Sequence, residues 1–201
     1  LEQKVNVDEK TNLLKFKKDY LTNIVKTASR IYHGADPQMY HIAFIRFDID
    51  NFSVFNNRYG HDLGDKVLIE IADIIRANSR PTDYVIRFGG EEFDVILPAT
   101  DAQGAIIYLD KIFRKIRTLS IDHQGESLSV TVSAGITHTV YDLSDTKLVV
   151  DRKIERDYEC MQSCADDALY EAKYLGKDRY CLHEKEKSSW YREVRDLYCK
   201  G

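Results

Sequence analysis

Apolar and polar positions follow two periods along this chain, and the switches between them mark its elements. From 11 to about 32, Leu14, Tyr20, Leu21, Ile24, Val25, Ala28 and Ile31 recur at helical spacing, and Gly34, Asp36 and Pro37 predict the helix end. Residues 41–50 read H-I-A-F-I-R-F-D-I-D, the pattern of a central strand buried on both faces until its acidic close. A loop or short helix at 51–59 leads into a helix that runs to about Ser79, with Val67, Leu68, Ile71, Ile74 and Ile75 on one face. Two runs rich in Val, Ile, Phe and Tyr, 84–88 and 93–97, flank Gly-Gly-Glu-Glu and predict a hairpin. Asp101 is placed to cap a helix carrying Ile106, Leu109, Ile112, Phe113 and Ile116. Alternation over 128–141 predicts a long strand, and 142–157, charged and poorly periodic, a solvent-exposed insertion. A helix over 158–175 stopped by Gly176, a strand at 178–182 and a charged tail compatible with one more helix complete the pattern.

Helices and strands alternate without repeats, which predicts one α/β (α+β) domain with helices packed on a central sheet. Residues 1–10 read as a linker, 11–183 as the domain and 184–201 as a tail. The chain starts at Leu1, and an upstream region is expected. No apolar run approaches the roughly 18–20 residues that span a bilayer, and the charged N-terminus lacks a signal-peptide core. A net charge of −4 without a lysine–arginine block argues against nucleic acid as a partner. Cysteines stand at 160, 164, 181 and 199; Cys160 and Cys164 share a helical stripe with Met161, Ala165, Ala168 and Leu169, which predicts buried, reduced thiols and a cytoplasmic setting. There is no P-loop and no G-x-G-x-x-G, so neither an ordinary NTPase nor a dinucleotide binder is indicated.

Chemistry concentrates at the hairpin tip and the end of the 41–50 strand. Glu91 and Glu92 are adjacent carboxylates beside glycines that leave the backbone approachable. Asp48 and Asp50, two apart, would face the same way on a strand, although Asp50 can equally cap the next element. Clustered carboxylates raise one another's pKa unless a cation neutralises them. Mg²⁺ takes one or two carboxylates plus substrate phosphates, so the cluster points to a nucleoside triphosphate.

D-I-D-x-F-x-x-x-N-x-x-x-G-H-x-x-G-D at 48–65, R-F-G-G-E-E-F at 87–93 and A-D-D-A-L-Y-E-A-K-Y-L-G-K-D-R at 165–179 resemble the GGDEF family of diguanylate cyclases. D-E-K-T-N-L-L at 8–14 is a weaker match to its opening D-x-L-T-G-L motif. The resemblance implies a mostly antiparallel, nucleotide-cyclase palm-like sheet flanked by helices. It implies Mg²⁺- or Mn²⁺-dependent condensation of two GTP into cyclic di-GMP across a homodimer, under an upstream sensory domain. By resemblance, Asp48, Glu91 and the Ile49 carbonyl hold the metal. Glu91 is the base for the attacking 3′-hydroxyl, with Glu92 close by. Asn56 and Asp65 read guanine, His61 lies in the same substrate-contacting stretch, and Gly89 and Gly90 floor the triphosphate. Lys173 and Lys177, four apart, would reach the phosphates from one helix face unless they are simply solvated. Arg80 and Asp83 match the R-x-x-D product-inhibition site, where a turn-ending salt bridge is the alternative.

Departures from the family pattern are Ser53 for Lys, Asn57 for Asp, Lys177 for Arg, and Lys10, Asn12 and Lys15 for Leu, Gly and Asn in the opening motif. None removes an implied metal ligand. The expected function is therefore a diguanylate cyclase, the alternative being a weak or inactive domain that acts as a cyclic di-GMP receptor.

Overall fold

The computed structural model describes residues 6–32, 38–143 and 151–198. Its elements in chain order are β1 (Leu14–Lys15), α1 (Tyr20–Ile31), β2 (Met39–Ile49), α2 (Phe52–Tyr59), α3 (His61–Ala77), β3 (Tyr84–Gly89), β4 (Glu92–Pro98), α4 (Ala102–Arg117), β5 (Ile121–His123), β6 (Glu126–Leu128), β7 (Val132–Asp142), α5 (Asp151–Tyr174), β8 (Tyr180–Leu182) and α6 (Ser188–Tyr198). Six strands form one sheet in the order β1-β3-β4-β2-β7-β8, while β5 and β6 make a separate hairpin. The inner pairings are antiparallel, and only the outer pairs β1–β3 and β7–β8 are parallel. The expected mostly antiparallel sheet with flanking helices is what the chain forms.

β2 is the axis of the domain. Its period of two sends Ala43, Ile45, Phe47 and Ile49 to one face, against Val67, Ile71 and Ile75 of α3 and Leu109, Ile112, Phe113 and Ile116 of α4. The alternate residues Ile42 and Phe44 meet Leu21, Ile24 and Val25 of α1 and Ile154, Tyr158 and Met161 of α5. A strand clothed on both faces explains the unbroken apolar run. On the second face α5 lies directly on β7, because a Cβ at Gly135 would stand 1.9 Å from the Ala165 carbonyl oxygen.

Several boundaries differ from those the pattern predicts. α1 begins at Tyr20, not at 11: Asp8 accepts from Thr11 N and Oγ1 and holds a turn, and Leu14–Lys15 then pairs with β3. The 128–141 strand is interrupted between β6 and β7. The expected exposed insertion is helical from Asp151, seven residues before the predicted start, with Ile154 buried; residues 144–150 lie outside the described part of the chain. Gly34, Asp36, Pro37 and Cys199 also lie outside it. Cys160 is exposed and Cys164 half-buried rather than core; their sulfurs are 4.0 Å apart, and both are free thiols. The tail forms α6, which packs on α5 through the buried Tyr191 and Val194. Asp101 caps α4 as its position suggests, accepting from Gly104 N at 2.8 Å.

Candidate active site

The turn at Gly90–Glu91 joins β3 to β4 at the same sheet end where β2 finishes. Asp48 is in register with Glu92 of β4 and Ser133 of β7, and Ile49 N donates to the Glu91 carbonyl at 3.3 Å. The hairpin is irregular between Arg87 and Gly89, so Phe88 falls out of the ladder and its ring covers the Arg46 guanidinium at 3.9 Å. Arg87 braces the turn from the other side, donating to the Gly90 carbonyl at 2.8 Å and to Asp8 Oδ1 at 3.0 Å. Gly90 has φ +42°, which glycine adopts without strain. A Cβ at Gly89 or Gly90 would meet nothing within 4 Å, so the turn has an open floor.

Around this floor the structure gathers most of the sequence-predicted residues. Asp48 is nearly buried and pairs with Lys173 Nζ at 2.8 Å. Burial pushes its carboxyl up; Lys173 pulls it down, and the charges of Glu91 and Asp50 push it up again. Burial likewise raises Glu92, opposed by Arg46. Two mutually repelling carboxylates and a strand-end carbonyl form a hard-oxygen set of the kind that suits one Mg²⁺ completed by water and phosphate. Among the described residues no group of three or more His, Cys, Asp or Glu is placed to hold a metal ion. Asp48 and Glu91 are two carboxylates of the kind Mg²⁺ takes when water and phosphate oxygens supply its remaining ligands.

Asp50 does not join that cluster. Its oxygens accept from Thr131 Oγ1 and Ser133 Oγ at 2.7 Å each and from Asp178 N at 3.1 Å, so it ties β2 to the segment after α5. Lys173 and Lys177 do not share a helix face either. α5 ends at Tyr174, and Lys177 follows Gly176 with φ +62°. The chain turns back, and Lys177 Nζ donates to Asn51 Oδ1 at 2.6 Å, beside the end of β2. The lysines thus reach one site by a turn instead of a helical stripe.

The second group lies on α2 and α3. Asn56 stands over Gly64, where an added Cβ would sit 1.8 Å from its Oδ1, and that buried oxygen has no hydrogen-bond partner. His61 opens α3 and is exposed. One turn later Asp65 pairs with Lys10 Nζ. Arg80 and Asp83 lie apart, before the start of β3, which at roughly 3.3 Å per residue puts them about 20 Å from the turn. They close on each other: Arg80 N donates to Asp83 Oδ2 at 2.6 Å and Asp83 N to the Arg80 carbonyl at 3.0 Å. Asp83 Oδ1 is buried without a partner, and burial raises this carboxyl although Arg80 lowers it.

Sequence reading missed Arg46, Arg87, Asp8, Asn51 and Lys10. Arg46 and Asp94 had a signal: each is a charge set among the apolar residues of its strand, and the two, of opposite sign, face each other in register. Burial works against the Arg46 charge, but Asp94 and Asp166 outweigh it and hold the guanidinium protonated.

Known proteins resemble this chain in sequence and in fold. The family model described as diguanylate cyclase, GGDEF domain, matches residues 5–179. Diguanylate cyclase A of Treponema denticola is 37% identical over 141 residues, 70% of this chain and 35% of that protein. Diguanylate cyclase DgcP of Pseudomonas aeruginosa is 41% identical over 132 residues, 66% of this chain and 18% of that protein. The chain therefore spans about a third and about a fifth of these two relatives. The structure of the GGDEF domain of DgcB from Caulobacter crescentus in complex with c-di-GMP superposes with a TM-score of 0.70 at 25% identity, covering 92% of this chain and 97% of that one. The GGDEF-only form of YfiN from Pseudomonas aeruginosa superposes with a TM-score of 0.70 at 26% identity, covering 96% and 99%.

Proposed function

This chain belongs to the GGDEF domain family, and we propose that it is a diguanylate cyclase, condensing two GTP into cyclic di-GMP with release of two pyrophosphates. The observation that carries the reading is the meeting of Asp48, Lys173 and Glu91 at the rim of the open Gly89–Gly90 floor. The triphosphate lies across that floor, with Lys173 and Lys177 turned from Asp48 and Asn51 to its phosphates. Asp48, Glu91 and the Ile49 carbonyl are the residues for Mg²⁺ or Mn²⁺, which when bound stabilises charge on the phosphoryl oxygens. Asn56 offers its unpartnered oxygen to the guanine amino group, Asp65 accepts from N1–H and N2–H₂, and His61 borders the same pocket. Glu91, with Glu92 beside it, takes the proton of the 3′-hydroxyl. O3′ then attacks the α-phosphorus of the facing GTP, and the bond to the leaving pyrophosphate breaks. One domain orients one GTP, so two copies must face each other, and a monomer is inactive.

No described helix is long and apolar enough to cross a membrane, and a cytoplasmic setting under an upstream sensory region is the natural context for GTP as substrate. At Arg80–Asp83, the buried unpartnered Asp83 oxygen favours a ligand with N–H donors, and we assign product inhibition by cyclic di-GMP there. The same oxygen supports the second reading, a receptor that binds cyclic di-GMP without making it.

Incubation with GTP and Mg²⁺ and detection of cyclic di-GMP by mass spectrometry tests the proposal, with Glu91→Ala as the inactive control. A dimerising fusion removes weak self-association as a cause of failure. Absence of product from the fused dimer, with cyclic di-GMP binding that Arg80→Ala abolishes, would establish the receptor instead.

A further inference from the structure

Lys10 occupies a position where the family's opening motif has Leu, and it departs from that motif by reaching a specific partner. Its Nζ lies 2.5 Å from Oδ1 of Asp65, across 55 positions of sequence. The backbone that carries it is not a loose tail. Asp8 N donates to the Leu13 carbonyl at 2.7 Å and Asn12 N to the Asp8 carbonyl at 2.8 Å. Asp8 Oδ1 accepts from Thr11 N at 2.9 Å, Thr11 Oγ1 at 2.8 Å and Arg87 Nη1 at 3.0 Å. Thr11 and Leu13, the neighbours on the C-terminal side, are buried at 3% and 2% exposure. The stem is therefore built into the fold and fastened through Arg87 to the Gly90 carbonyl of the catalytic turn. The Lys10 and Asp65 side chains are each 40% exposed.

An exposed pair of this kind contributes little to stability, so stability alone gives little reason for the placement. Its chemistry matches a ligand better. Along one edge guanine presents O6, an acceptor, then N1–H and N2–H₂, both donors; adenine carries a 6-amino donor where guanine has O6. A carboxylate that accepts from N1–H and N2–H₂ leaves O6 next to the oxygen facing N1–H. With Oδ1, the oxygen that Lys10 bonds, turned to N1–H, the ammonium has two further N–H donors and O6 as the acceptor beside them.

We propose that Lys10 is a specificity-determining residue that reads the 6-oxo group of guanine beside Asp65. The inference rests on the assignment of Asp65 to guanine N1–H and N2–H₂ in the proposed function. Lys10 then completes an acceptor–donor–donor recognition, and a 6-amino purine is rejected because its amino group meets an ammonium donor in a site built for an acceptor.

The test is binding, which needs neither turnover nor dimerisation. Non-hydrolysable triphosphates of guanosine, inosine (6-oxo without the 2-amino group) and 2,6-diaminopurine riboside (2-amino with 6-amino) are titrated calorimetrically into wild type, Lys10→Met, Lys10→Arg and Asp65→Ala. Wild type should prefer the two 6-oxo nucleotides over the diaminopurine. Lys10→Met should weaken both 6-oxo nucleotides by roughly 10- to 100-fold, the span of a hydrogen bond to a charged group, and leave the diaminopurine unweakened, which narrows the preference to the part Asp65 keeps through N1–H, a donor the diaminopurine lacks. Lys10→Arg should retain the wild-type preference. The proposal is overturned if Lys10→Met binds guanosine triphosphate equally well or more tightly, since Lys10 is then a solvated partner or a plug. It is also overturned if all three nucleotides weaken alike. If Asp65→Ala leaves guanosine triphosphate binding unchanged, the guanine assignment itself fails, which the Lys10 variants alone would not reveal.

Discussion

Arg46→Met isolates the interaction on which the Gly-Gly-Glu-Glu hairpin is mounted. Arg46 Nε and Nη2 bond Asp94 Oδ1 and Oδ2 at 2.7 and 2.8 Å, and Nη1 bonds Asp166 at 2.8 Å. The Asp94 side chain is 0% exposed and that of Arg46 4%, so removing the guanidinium strands a carboxylate in the core. Breaking one side of a buried pair costs about 3–5 kcal/mol. Losing the stacked Phe88 ring adds about 0.5–2 kcal/mol. Against a total stability of about 5–15 kcal/mol for a domain, the variant should be much weakened and partly unfolded on warming. Urea unfolding followed by far-UV circular dichroism measures the loss. Arg46→Met with Asp94→Leu removes both charges and should recover most of it, because apolar replacement of a whole buried pair is often neutral or better. Asp166, 31% exposed, can be solvated in either variant. A loss under about 1 kcal/mol in the single variant, or no recovery in the double, refutes the claim that desolvation of Asp94 dominates.

Gly135→Ala should destabilise by about 1–3 kcal/mol or more, because the new Cβ would press on the α5 backbone, 1.9 Å from Ala165 O and 2.5 Å from Leu169 N; a thermal midpoint equal to wild type would contradict it. Gly90→Val should abolish GTP turnover with the fold retained: φ +42° adds about 1–2 kcal/mol of backbone strain, and a Cβ there meets nothing within 4 Å, so the side chain would occupy the open floor proposed for the triphosphate. Normal turnover in that variant would mean the substrate lies elsewhere. Burial and the adjacent His41 hold His138 below its ordinary value of 6.5, so the folded state favours its neutral form. Its contribution is then complete above pH 6.5 and is eroded as pH falls toward the lower folded value; urea midpoints from pH 7.5 to 5 should decline less steeply in His138→Gln, and parallel slopes would argue against it.

The elements most legible in the sequence are those whose apolar period settles both their type and their burial, β2 above all. The failures share a cause, which is that tertiary partners decide where periodicity is silent. Leu13 and Leu14 fit the helical spacing of 11–32, yet Asp8 offers the backbone a turn through Thr11, and such side-chain bonds compete with helix. Leu13 is buried from that turn, and Leu14 pairs with Ile86 of β3. The first turns of α5 read as an exposed insertion because Ile154 is the one aliphatic residue between 151 and 157. A helix that meets the sheet along so thin a line has almost no amphipathic signal at its start.

At the site, residue type and motif order brought candidates forward but could not separate their environments, and the two aspartates at the end of β2 show why. Asp48 and Asp50 are equally spaced for a strand face and equally acidic, so spacing treats them alike. Their partners do not. Asp50 has three donors on its two oxygens, two hydroxyls and a backbone N–H, which satisfy its charge without any cation and fix Asp178 and hence the turn bearing Lys177. Asp48 has one lysine, and a neighbouring glutamate that raises its carboxyl further. A carboxylate already saturated by neutral donors gains little from a metal; one balanced between an ammonium and a like charge gains from both a cation and the phosphates that would draw the ammonium away. The same comparison separates Lys173, whose partner is the implied metal ligand, from Lys177, whose partner Asn51 is neutral. It also separates Asp65 from an ordinary helix-terminal acid, because a rigid turn delivers Lys10 to it. Who faces whom, more than which residues are present, divides the carboxylates saturated by the protein's own donors from those left with a charge to share.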